Sequence, residues 1–186
     1  MPTSRDHVLP DVAGVVTATE LLETVDAIAS IQLPDGNIPW FPGGHTDPWN
    51  MIEACMALDP GGRHEESRAA HEWLAGMQRA DGAWHAYYLG TEIEDPTLDT
   101  NVTCYIATGA WHHHLVTGDT AYLRQQWPTG EAAIDFALDF QRETGEIAWR
   151  GDDPDDGALL TGSSSIHHSL KCALATADRL RHERPD

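Results

Sequence analysis

Three stretches of the chain share one grammar. Residues 28–40 (IASIQLPDGNIPW), 74–86 (LAGMQRADGAWHA) and 137–149 (ALDFQRETGEIAW) each carry a Gln, a Gly four residues later and an aromatic within the next few positions. The glutamines are Gln32, Gln78 and Gln141, and the glycines are Gly36, Gly82 and Gly145. The offsets are 46 and 63 residues, so the repeat carries insertions. In each copy an amphipathic helix runs into the Gln. The Gly ends it, because glycine takes the left-handed terminating conformation at little cost. A short extended piece with Trp follows, and then a second, more apolar helix starts behind a cap.

This grammar predicts helix pairs over 17–33 and 47–58, 64–79 and 99–116, and 119–142 and 163–181, with the fifth helix broken near Pro128. Thr17 and Glu20 have capping-box spacing. Asp47 followed by Pro48 reads as a cap and first helical residue, and Asp99 as another cap. The second helix of each pair (MIEACMAL, VTCYIATGAW, IHHSLKCALA) is apolar over more of its circumference, which suits an inner layer. The fold class expected is all-α: an array of three helical hairpins, outer helix then inner helix, over 17–186, with 1–16 as an N-terminal segment. Strand content is expected to be negligible apart from extended turns around 37–41 and 146–150.

Composition excludes several classes. The 186 residues suffice for one core, and the 7 Trp with regular apolar spacing exclude an acidic disordered tail. With 30 acidic against 11 basic residues, the net charge of -19 repels a nucleic-acid backbone and an anionic membrane surface. No stretch approaches the ~20 apolar residues of a membrane span. The first ten residues lack the apolar core of a signal peptide, so a cytoplasmic location is expected. Cys55, Cys104 and Cys172 are scattered mid-helix and read as small core residues rather than a disulfide framework.

The Gln-x-x-x-Gly turn followed closely by Trp between two helices resembles the repeats of terpenoid cyclase and prenyltransferase α/α toroids. It is also similar to the hairpin turns of six-hairpin glycosidases. The runs GNIPWFPGGHTDPWNMIEACMAL and ALLTGSSSIHHSLKCALA resemble actinobacterial proteins labelled prenyltransferase. The resemblance implies a closed ring of about six hairpins, of which three are found, so the chain is expected to be half of an α/α barrel. Either it is the N-terminal half of a longer protein, with Pro185 and Asp186 leading into another helix, or it pairs with itself or a second subunit as a homodimer or with a completing C-terminal half. An open half-barrel would expose the sides of its inner helices.

The resemblance also implies that the loops entering the inner helices line one mouth. Those loops supply candidate acid–base residues Asp47 and Asp99, with Glu53 on the first inner helix, two turns in, and His167 near the start of the last inner helix. Candidate binding residues are Trp40, His45, Trp49, Asn50, Trp84, His85, Asn101, Trp149 and Ser164. Each has a plainer reading: Trp40 and Trp149 as turn packing, Asp47 and Asp99 as caps, Asn50 and Asn101 as local hydrogen-bonders. The leading expectation is an enzyme acting by acid–base chemistry on a hydrophobic or isoprenoid-like small molecule. The alternatives are a six-hairpin carbohydrate-active enzyme, whose carboxylate pair would be sought among Asp47, Glu53 and Asp99, and a non-catalytic helical-repeat module. The mouth offers mainly Arg150 as a cation, which weighs against a diphosphate. The acidic run Asp153, Pro154, Asp155, Asp156 matches a cyclase acid motif but reads as a solvated turn. No metal or cofactor is expected: His112, His113 and His114 are ~100° apart on a helix and cannot all hold one ion. Their plainer role is favourable charge at a helix C-terminus.

Overall fold

The computed structural model describes residues 9–182. The helix start read at Pro185 and Asp186 lies outside them, as does most of the segment inspected for a leader. Six α-helices run through the described residues: α1 (Ala18–Ile31), α2 (Pro48–Leu58), α3 (His64–Met77), α4 (Thr100–Thr117), α5 (Thr120–Leu138) and α6 (Leu160–Leu180). They form the expected three hairpins. None of them is long and apolar enough to cross a membrane.

The starts are written in the sequence. The Thr17 hydroxyl accepts from Glu20 N at 3.2 Å while the Glu20 carboxylate accepts from Thr17 N at 2.8 Å, a reciprocal cap. Asp47, Asp99 and Asp119 accept from the backbone N–H groups of Asn50, Val102 and Tyr122, each at 2.9 Å. Such caps are each worth about 1 kcal/mol. The first two hairpin turns leave the outer helix at its Gln: α1 and α3 stop at Ile31 and Met77, and Gln32 and Gln78 turn into extended backbone. The α5 helix, expected to reach 142, instead stops at Leu138, three residues before Gln141.

The inner helices α2, α4 and α6 lie side by side with α4 in the middle, and α3 and α5 pack outside them. Met51, Ile52, Cys55 and Leu58 of α2, Leu74 of α3, Trp84 and Ile106 share one buried cluster. Cys104, Ala107, Ile134, Ala137, Ile147 and Ile166 form a second. All three cysteines are buried and free, as expected of core residues.

Three further expectations are corrected. The α5 helix is continuous through Pro128. Its two halves are each held to α4, Leu123 against Ala110 and Ile134 and Ala137 against Cys104 and Ala107, so packing carries the helix across the missing amide donor. The α6 helix starts at Leu160, three residues early and without a side-chain cap. A small antiparallel sheet, β1 (Tyr87–Leu89) with β2 (Glu92–Asp95), stands in the second loop. Its two-residue turn begins at Gly90 with φ 61°, the positive φ that such hairpin turns require.

Candidate functional site

The N-terminal ends of α2 and α4 and the loops around them make a common rim, and backbone hydrogen bonds lace the loops together. Thr46 and Tyr88 exchange two of these bonds, at 2.8 and 2.9 Å, joining the first loop to the second. Thr100 N donates to Trp149 O at 3.0 Å and Gly151 N to Leu98 O at 2.8 Å, joining the second to the third. The positions of the rim side chains are therefore set by main chain.

Asp47 is the hub of the first loop. Only 4% exposed, it caps α2 and accepts from Trp40 Nε1 at 2.6 Å and from Asn50 Nδ2 at 2.8 Å. Around it Trp40, His45 and Tyr87 form a ring cluster, with His45 4.6 Å from Trp40 and 4.8 Å from Tyr87, centroid to centroid. His45 Nδ1 lies 3.0 Å from the Glu94 carboxylate on β2. Burial raises the Tyr87 hydroxyl above its ordinary value, and the charges of Asp47, Asp95, Asp99 and Glu94 raise it further. This tyrosine thus sits among the rim carboxylates.

Asp99, capping α4, is the second acid. Burial pushes its carboxyl upward, backbone N–H groups at Val102 and Asn101 oppose this, and the Asp47 charge adds to the rise. The net effect favours the proton-holding form. Beside the pair, Trp49 and Tyr105 stack at 5.2 Å, and the Tyr105 hydroxyl donates to Glu53 at 3.3 Å. Four polar atoms near the rim are buried without a hydrogen-bond partner among the described residues: His45 Nε2, Trp49 Nε1, Asn101 Oδ1 and Ser163 Oγ. Two donors or acceptors on rings, an amide oxygen and a hydroxyl are what a polyhydroxylated ligand satisfies.

The structure thus gathers Trp40, His45, Asp47, Trp49, Asn50, Glu53, Asp99 and Asn101. The remaining candidates do not share these side-chain contacts, although Trp149 joins the rim through its main chain. Trp84 is in the core, donating from Nε1 to Leu74 O at 2.8 Å, so its bulk serves packing and not the rim surface. His85 is tied to Pro96 O at 2.9 Å and to Arg79 at 3.2 Å. Trp149 lies under the Arg150 guanidinium at 5.3 Å. His167 and Ser164 are exposed on α6, and none of the rim bonds reaches them. The acidic run near Asp155 is an exposed 3-10 turn over Pro154–Asp156, as its solvated reading anticipates. Tyr105 was missed. It stands four residues after Asn101, hence on the same face of α4, which is the signal that finds it.

At the opposite end of the helices a polar cluster appears that sequence spacing does not show. Asp59, at the end of α2, accepts from Ser67 Oγ at 3.1 Å and lies 2.9 Å from His113 Nδ1 and 3.2 Å from His64 Nδ1. Arg68 donates from Nε to His113 Nε2 at 3.2 Å and pairs with Asp119 at 2.8 Å. His113 is 1% exposed, and its imidazole bridges an acid and a guanidinium. Among the described residues no group of three or more His, Cys, Asp or Glu is arranged to hold a metal ion.

No family model matches the chain. Over 180 residues, 96% of its length, it is 45% identical to an MMP endo-(1,4)-3-O-methyl-alpha-D-mannosidase of Mycolicibacterium hassiacum. It spans 50% of that protein, about half the length of the curated relative it matches. In fold it is similar to a rhamnosidase from Klebsiella oxytoca solved with rhamnose bound, with a TM-score of 0.61 at 17% identity, covering 91% of this chain and 36% of that one. The mannosidase likeness falls on the glycosidase side of the two resemblances stated from sequence, the rhamnosidase likeness bears on the fold, and neither supports the terpenoid cyclase or prenyltransferase side.

Proposed function

We propose that the chain carries part of the active site of a glycoside hydrolase acting on an α-linked mannoside chain of the kind named for its mannosidase relative. The observation that carries this is the pair Asp47 and Asp99. They cap inner helices α2 and α4, and the charge of one raises the proton affinity of the other. A buried carboxyl pushed toward its protonated form suits a general-acid role.

In this reading Asp99 donates its proton to the glycosidic oxygen as the bond from that oxygen to the anomeric carbon breaks. Asp47, both of whose oxygens already accept hydrogen bonds, positions Trp40 and Asn50, and its charge adds to the burial that raises the proton affinity of Asp99. Glu53, exposed and held by Tyr105, is the second catalytic carboxylate. It either attacks the anomeric carbon or takes a proton from the attacking water, and the anomer first released, read by NMR, separates these. Trp40, Tyr87 and Trp49 offer ring faces to the sugar, and the partnerless atoms of His45, Trp49 and Asn101 meet its hydroxyls.

The test is hydrolysis of α-(1,4)-linked 3-O-methylmannose oligosaccharides, followed by mass spectrometry, with binding followed by tryptophan fluorescence. Asp99→Asn is expected to slow hydrolysis by about 100-fold or more while binding survives. Unchanged hydrolysis in that variant, or no binding of the oligosaccharide by the parent chain, overturns the reading.

A further inference from the structure

The three Gln/Gly corners differ in what they touch. At the first, Gln32 Nε2 donates to Gly36 O at 3.0 Å and to Glu66 O on α3 at 2.8 Å. At the second, Gln78 Nε2 donates to Gly82 O and to Thr129 O on α5, both at 2.9 Å. The glycines press on the same helices: a Cβ at Gly36 would stand 2.3 Å from Ala69 O, and one at Gly82 2.2 Å from Ala132 O. Each corner therefore grips the next outer helix at two points. One is a carbonyl twelve residues before that helix's own glutamine, and the other is an alanine nine residues before it.

The third corner has the same shape and no such helix against it among the described residues. Gln141 Nε2 donates to Gly145 O at 3.1 Å, and Gly145 has φ 101°, beside 99° and 89° at Gly36 and Gly82. Yet a Cβ at Gly145 would meet nothing within 4 Å. Beside it a groove of about 220 Å³ opens between α5 and α6, lined by Trp127, Ile134, Leu138, Leu170, Ala173 and Leu174. Counting back the 63 residues between the glutamines, Glu131 and Ile134 of α5 correspond to Arg68 and His71 of α3. On α3 that face is sealed by the next hairpin, with the Tyr122 ring of α5 4.8 Å from the Arg68 guanidinium, and by its own partner α4, with the His113 ring 6.2 Å from His71. On α5 the same face borders the groove, Leu174 is 64% exposed and Trp127 Nε1 is buried without a partner.

We infer that the third corner and the α5–α6 groove together dock one further outer helix, and that this helix belongs to the half of the mannosidase relative that the chain does not span. The occupant is an amphipathic helix with apolar side chains toward the groove. It carries an alanine-sized residue over Gly145, three positions after the residue whose carbonyl takes the second Gln141 amide proton. A second copy of this chain fits poorly. The same count puts Glu20 and Glu23 of α1 at the two grip points, a glutamate where both observed grips have alanine, facing Glu143 and Glu146 beside the third corner. The inference is independent of the chemistry assigned to the rim.

The test co-expresses the chain with the polypeptide covering the remaining half of the M. hassiacum mannosidase, so that neither must fold alone. A one-to-one complex is expected by light scattering, with hydrogen-exchange protection gained over residues 141–149 and around Leu174. Leu174→Asp, at an exposed position, is expected to weaken the complex at least tenfold while leaving the circular dichroism and urea midpoint of the chain alone unchanged. Three results would overturn the inference: no complex, protection confined to other surfaces, or a self-dimer that Leu174→Asp dissolves.

Discussion

At His71 an imidazole is sealed between α3 and α4, its Nδ1 donating to Ser67 O at 2.9 Å and its Nε2 without a partner. Burial lowers its pKa from the usual 6.5 to about 4. The unfolded chain takes up this proton near 6.5 and the folded chain only near 4. The stabilisation is therefore fully present above 6.5 and is lost as pH falls through that window, by about 3 kcal/mol at its end. Asp59 extends the loss to lower pH. Burial pushes its carboxyl up, but His112, His113 and His64 outweigh this and bring it below the ordinary carboxylate value. Urea denaturation between pH 7 and pH 4 is expected to show a falling midpoint in the parent chain and a flatter profile in His71→Leu. Equal slopes in both would show that His71 does not set it.

Among the elements, the corner glycines separate backbone strain from contact. Gly36→Ala and Gly82→Ala impose a positive φ on alanine and also drive a Cβ into a helix carbonyl, so each is expected to cost more than about 3 kcal/mol. Gly145→Ala carries the strain alone and is expected to cost about 1–2 kcal/mol. Equal midpoint shifts in urea would mean that the first two corners do not grip as described. The helices were largely legible because their signals are local: Thr17 with Glu20, Asp47 with Pro48, and Asp99 each name a helix start within four residues. Pro128 misled because a rule about one turn ignores α4, which holds both sides of it. The β1–β2 hairpin was missed although Gly90 marked its turn, since the Trp-bearing second loop was read through the helical repeat alone.

Across the whole molecule, long-range contacts decided what sequence could show of the site. Asp47 and Asp99 were nameable as caps at the mouth, but their electrostatic coupling depends on how α2 and α4 sit together. The Asp59–His113 contact joins residues 54 apart, and no spacing rule finds it. Trp84 had the same corner signature as Trp40 yet points into the core. Charge acts at this scale too: with a formal -19, mutual repulsion opposes compaction, and mobile ions screen it over about 10 Å at 0.1 M. Raising sodium chloride from 10 to 300 mM is therefore expected to raise the thermal midpoint by several degrees. A fall would indicate that attractive pairs such as Arg68 with Asp119 dominate. The main-chain lacing of Thr46 to Tyr88 and of Thr100 to Trp149 has an evolutionary corollary. Because the frame's spacing does not depend on which side groups it displays, ligand preference can drift by exchange of those groups while the scaffold beneath is inherited intact.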